Sequence, residues 1–123
     1  MSINSALKQQ VLHWIEQDPD SVTKAQLAQL LLDAKTDQDA LAELQDAFVA
    51  PLEFGTAGLR GALGAGPNRM NRVTVLQAAS GLAQYLVQQG SSGQKVVIGF
   101  DARYNSDVFA NDTALVMSGA GLE

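Results

Sequence analysis

Apolar side chains recur at helical spacing through residues 1–50 and then give way to a glycine-rich stretch. Leu7, Val11, Trp14 and Ile15 share one helix face, so the pattern predicts an amphipathic helix over residues 5–17. Asn4 or Ser5 is its expected cap and Asp18-Pro19 its stop. A second helix is expected from about Val22 to Ala34, capped by Asp20 or Ser21 and burying Leu27, Leu30 and Leu31. A third, from about Asp37 to Phe48, carries Leu41, Leu44 and Phe48 on one face. Together they make residues 1–50 a helical N-terminal extension.

Pro51 marks the change of pattern. A short strand is expected from Leu59 to Leu63, then a loop through Gly64, Gly66, Pro67 and Asn68. Residues 72–89 read as a helix capped by Asn71, with Leu76, Ala79, Leu82, Ala83 and Leu86 on its apolar face and Gly90 as a left-handed stop. The β-branched run from Lys95 to Phe100 suits a strand buried on both faces. Ser106 is the expected cap of a last helix over residues 107–118, carrying Phe109, Thr113, Val116 and Met117. Strand, helix, strand, helix is the order of an α/β layer with a right-handed crossover. Two strands leave sheet edges open, so residues 51–123 are expected to be an incomplete α/β/α domain, the front portion of a larger protein.

Charge sharpens the division. The formal net charge of −5 arises in residues 1–50, where Glu16, Asp18, Asp20, Asp33, Asp37, Asp39, Glu43 and Asp46 outweigh Lys8, Lys24 and Lys35. An acidic balance without a basic face argues against nucleic acid, and nothing resembles a polybasic membrane patch. Asp37, Asp39, Glu43 and Asp46 are read as a solvated acidic face rather than a metal site. His13 is read as structural or solvent-facing. The sequence has no cysteine, which excludes disulfides, thiolate catalysis and zinc–sulfur centres. It also lacks a secretory signal pattern and a long apolar run, so a cytoplasmic protein is expected.

The candidate chemistry lies in the glycine-rich stretch. Gly55, Gly58, Gly61, Gly64 and Gly66 alternate with Arg60 and Arg69, and Arg72 follows at once. Glycine lets main-chain N–H groups approach a ligand, and arginine presents a fork of donors matched to phosphate oxygens. Two familiar phosphate loops do not fit: Arg69 stands where the third glycine of G-x-G-x-x-G belongs, and G-x-x-x-x-G-K-[ST] has no match. What remains is Gly55 to Gly61 and Gly99 to Arg103, the latter at the carboxyl end of an expected strand, where α/β sheets gather ligands. Thr56, Gly58, Arg60 and Arg103 are the candidate site residues; the competing structural reading has the glycines forming turns and Arg103 pairing with Asp101.

The residues that carry this chemistry resemble a known family. FGTAGLRG at 54–61, GPNRMN at 66–71 and GFDAR at 99–103 stand in the order and spacing of the first domain of the α-D-phosphohexomutases, which include phosphoglucomutases and phosphomannomutases. The resemblance covers about residues 10–123 and is nearest to the branch that also includes phosphopentomutases. It implies an intramolecular phosphotransferase with four domains around a cleft, moving phosphate between two positions of a sugar through a bisphosphorylated intermediate. It further implies an enzyme phosphoserine in a Thr-Ala-Ser-His-Asn-Pro-like loop and Mg²⁺ held there and by an Asp-x-Asp-x-Asp-Arg loop. Thr56 and Arg60 would face the phosphoserine region in a supporting catalytic role, and Gly58 and Arg103 would contribute to phosphate binding. Neither the serine loop nor the aspartate loop occurs in these 123 residues. The resemblance therefore implies a chain inactive alone, binding no metal itself and completed by the remaining mutase domains and a sugar phosphate. A non-catalytic sugar-phosphate-binding or split-enzyme module is the alternative.

Overall fold

In the computed structural model, residues 3–55 and 58–123 are described. They fall into two compact units, Met1–Val73 and Thr74–Glu123.

The first unit begins with three helices whose ends are written in short polar side chains. In α1 (Ser5–Gln17) the Asn4 side chain accepts from the Ala6 N–H, in α2 (Ser21–Asp33) Asp20 accepts from Val22, and in α3 (Gln38–Ala47) Asp37 accepts from Asp39. Each cap satisfies an N–H that the first helical turn leaves without an internal partner. The expected stripes point inward: Val11 and Trp14 from α1, Leu27 from α2 and Leu44 from α3 are buried. Leu30, Leu31, Leu41 and Phe48 pack around them. Val11, Leu27 and Leu44 are wholly shielded, and each such burial contributes about 1.5–3 kcal/mol. Trp14 and Phe48 meet edge to face with ring centroids 6.1 Å apart.

The glycine-rich stretch joins this core, since Ala65 and Val73 belong to the same cluster. Its strand differs from expectation. Instead of running from Leu59 to Leu63, the ladder pairs β1 (Phe54–Gly55) with β2 (Gly58–Leu59) antiparallel, Phe54 opposite Leu59 and Gly55 opposite Gly58. Leu63 makes only an isolated parallel bridge to Met70. Among the described residues the ladder ends at Leu59.

In the second unit, α4 (Arg72–Gln88) starts before the unit boundary and α5 (Ser106–Gly119) follows the Asp101 turn. Both helices end on a glycine with positive φ: Gly90 N–H donates to Val87 and Ser91 N–H to Leu86, while Gly121 N–H donates to Ser118 and Leu122 N–H to Met117. This paired bonding satisfies the last carbonyls of each helix. Ala79, Ala83, Met117 and Leu122 form the unit's core, with Leu86, Val96 and Val116 against it. Leu82, expected on the buried face of α4, is 51% exposed. The cap of α5 is Asn105, in left-handed conformation, rather than Ser106.

The expected strand from Lys95 to Phe100 does not form a ladder. Val96 and Ile98 are half-buried while Val97 between them is exposed, the alternation of a strand. A strand is nevertheless defined by a partner, and among the described residues the main-chain pairing here is with Glu123, whose N–H donates to Gln94 O and whose carbonyl accepts from Val96 N–H. That is the first rung of a parallel pairing. Five helices and one two-residue ladder are thus the regular structure of the described residues, in place of the expected two-stranded layer.

Candidate functional site

The β1–β2 hairpin carries the first group of expected site residues. Gly58 holds φ at +102°, a conformation that disfavours any side chain, and a Cβ placed there would meet nothing within 4 Å. Arg60 leaves β2 with an exposed side chain. The hairpin thus presents bare backbone and a cation at the surface of the first unit. Thr56, between the two strands, lies outside the described residues.

A frame of buried polar groups fixes the hairpin's base. Leu52 N–H donates to Pro67 O, and Met70 N–H donates to Ala62 O, so the 67–70 loop is bonded to the chain both before β1 and after β2. Asn71, 2% exposed, donates through Nδ2 to the carbonyls of Gly64, Gly66 and Arg69. The sequence pattern offered Asn71 as a helix cap, and it stands immediately before α4; these bonds show that it also gathers the loop. Asn68 ties the loop to α3, its N–H donating to Ala47 O and its Nδ2 to Asp46 O.

Arg69 departs most from its sequence reading. It is 8% exposed, and its Nη2 lies 3.0 Å from Glu43 Oε1 and 2.6 Å from Asp46 Oδ2. Burial alone would lower the guanidinium pKa, but hydrogen bonds to Asp46 and Glu43 together with their charge outweigh it and raise the pKa. Arg69 is thereby committed to the protein's own carboxylates, and Glu43 and Asp46 are more than a solvated face. No local spacing reveals this, because the partners are 26 and 23 positions away. Their i, i+3 placement on one helix face was the available signal.

Asp18, read only as part of a helix stop, is also buried, accepting from Asp20 N–H and from the Thr23 hydroxyl. His13 is exposed, its Nε2 3.0 Å from Gln17 Nε2. A cavity of about 360 Å³ is lined by His13, Trp14, Phe48, Val49, Pro51 and Pro67 among others, and Gly58 and Arg60 do not border it.

In the second unit, the Gly99 to Arg103 group is organised around Asp101. Its Oδ1 accepts from Arg103 N–H at 3.0 Å and from Ser106 Oγ at 2.8 Å, while its Oδ2 lies 3.2 Å from Arg103 Nε. The competing reading of Arg103 as a partner of Asp101 is therefore seen, with the Arg103 side chain still 85% exposed. Hydrogen bonding from Arg103 N–H and then from Ser106 holds the Asp101 pKa below its ordinary value. A carboxylate depressed on folding stabilises the fold above its unfolded pKa and loses that contribution as pH falls through the folded value. We expect the amides at the start of α5 to lose exchange protection below the ordinary aspartate value of 3.8. Ser106→Ala should move the Asp101 titration, followed by NMR of its carboxyl carbon, upward; an unmoved midpoint would remove this turn as the cause.

Among the described residues no three His, Asp or Glu side chains stand together as a metal-binding group. Glu43 and Asp46 share the one Arg69 guanidinium, so both carboxylates nearest the hairpin frame already have a cationic partner in the protein. Among those residues, too, no helix is long and apolar enough to cross a membrane.

Comparison with known proteins identifies the family. Residues 51–123 match the family model described as phosphoglucomutase/phosphomannomutase, alpha/beta/alpha domain I. The chain is 39% identical over 119 residues to a probable phosphoribomutase of Schizosaccharomyces pombe, covering 95% of this chain and 19% of that protein. It is 37% identical over 105 residues to a phosphoglucomutase of Staphylococcus aureus, covering 85% and 17%. To a probable phosphomannomutase of Haemophilus influenzae it is 57% identical over 54 residues, covering 44% and 11%. The chain thus spans less than a fifth of the length of these curated relatives. No solved structure matches it. The chain belongs to the α-D-phosphohexomutase family and corresponds to its N-terminal part.

Proposed function

We propose that this chain supplies the front of the first α/β/α domain of a cytoplasmic sugar phosphomutase and does not turn over by itself. Residues 51–123 would be the incomplete domain and residues 1–50 a helical extension packed on its glycine-rich start. The observation that carries the reading is the family match over residues 51–123, which takes in the half-buried Gly58 and the exposed Arg60 of the hairpin.

Phosphoryl transfer is catalysed by positioning and by charge stabilisation, so a cation and free main-chain groups are useful parts of such a site. They are not a complete one. The serine nucleophile and Mg²⁺ of the family would be brought by segments outside these residues. In the assembled enzyme Arg60 would stabilise phosphoryl charge, with Thr56 in support, and Gly58 and Arg103 would help hold the phosphate. The substrate would be a hexose or pentose phosphate, as the names of the relatives suggest.

Co-expression with a chain carrying the remaining domains of a relative tests this. The pair is expected to co-purify and to interconvert glucose, mannose or ribose 1-phosphate with the corresponding terminal phosphate, while the chain alone is inactive. Turnover by the chain alone, or neither association nor activity in the pair, would overturn it.

A further inference from the structure

We infer that Arg69, which touches no reacting group, is a positioning residue for the hairpin that presents Gly58 and Arg60, and that the acidic face of α3 is the anchor it pulls against. The connection is continuous. Glu43 and Asp46 hold the Arg69 guanidinium at 3.0 and 2.6 Å, and Arg69 Nη1 donates to Asn68 O at 3.1 Å. Asn68 in turn bonds the end of α3 through both its main-chain and its side-chain nitrogen. The same loop holds the two feet of the hairpin, Leu52 through Pro67 and Ala62 through Met70.

Packing closes the frame at a second point. A Cβ on Gly61 would stand 2.5 Å from Leu52 Cδ2, so the chain leaving the hairpin lies directly against the Leu52 side chain of the segment entering it. With both feet bonded to one loop and packed against each other, the hairpin has little freedom unless the loop moves. The loop moves only if the charge-assisted bonds to α3 are given up. The helical extension thus acts on the hairpin through electrostatics, although it contributes no group to phosphate chemistry. Asn71, by cinching the other side of the loop, makes the bracket rigid rather than hinged.

The functional weight of this inference rests on the phosphomutase reading, but its test needs only the chain itself. Hydrogen exchange is followed residue by residue in the double variant Glu43→Gln/Asp46→Asn, whose altered side chains are 54% and 62% exposed and so carry little of the core. The expected result is an about tenfold or greater loss of protection at the Leu52 and Met70 amides, with the helical amides of Val11 and Leu27 unchanged. The chemical shifts of the Gly58 and Arg60 amides move with them, and Asp46→Glu alone retains most of the protection. Unchanged exchange at Leu52 and Met70 would overturn the inference, as would equal acceleration at all four amides, which would make the ion pairs ordinary contributors to stability. Either failure leaves the complementation experiment, and with it the proposed function, standing.

Discussion

Gly66→Ala is expected to destabilise the first unit by about 2–5 kcal/mol, because backbone strain and steric collision act together there. Gly66 holds φ at +107°, which L side chains rarely adopt. A Cβ on it would also stand 2.9 Å from Ala47 O, 3.1 Å from Ala47 Cβ and 3.2 Å from the Phe48 ring. The first of these is the damaging contact, since backbone cannot rotate away as a side chain can. Ala47 O already accepts from Asn68 N–H, so displacing it would also break a tie between α3 and the loop. The single tryptophan, Trp14, lies against Phe48 and reports on this unit in a denaturant titration. Gly58→Ala in the same unit isolates the two effects: its φ is +102° but no atom lies within 4 Å of the added carbon, so the expected cost is only about 1–2 kcal/mol. Equal costs at the two positions would show that the collision with α3 is absent.

In the reconstituted enzyme, Arg60→Ala is expected to lower kcat by about a hundredfold or more, with a smaller change in KM. That is the usual scale for removing one charge-stabilising donor that acts in the transition state. Arg103→Ala serves as the comparison. Its guanidinium is 85% exposed and already bonded to Asp101, so its loss should cost less than about tenfold. Steady-state rates with glucose 1-phosphate distinguish the two. Unchanged turnover in Arg60→Ala would remove Arg60 from the site, and a larger loss at Arg103 would reverse their assigned weights.

What could be read from the sequence follows the range of the interactions concerned. The caps of α1 and α2 were legible because Asn4 and Asp20 act on N–H groups only two residues ahead, whereas Asp37, read as the first residue of the third helix, is its cap. The stop at Gly90 was legible for the same reason. The run from Lys95 to Phe100 has the composition and alternation of a strand, but pairing is a property of two segments, and its rung is with Glu123. Arg69 shows the same limit in the site. Its composition suggested phosphate, whereas its actual partners depend on how α3 packs against a loop more than twenty residues later. The family resemblance was legible because it rests on the order of short motifs and needs no knowledge of contacts.

The rung between Lys95 and Glu123 has a consequence governed by mass action. Its bonds form within one molecule, so their strength does not depend on how much protein is present. Beyond it the apolar stretch continues with Val97 96% exposed and Phe100 66% exposed, and Lys95 is the one charge from residue 94 to residue 100. An extended apolar segment of that kind is a template for an equivalent segment on another molecule. Dilution therefore favours closure onto Glu123, and rising concentration favours pairing between chains.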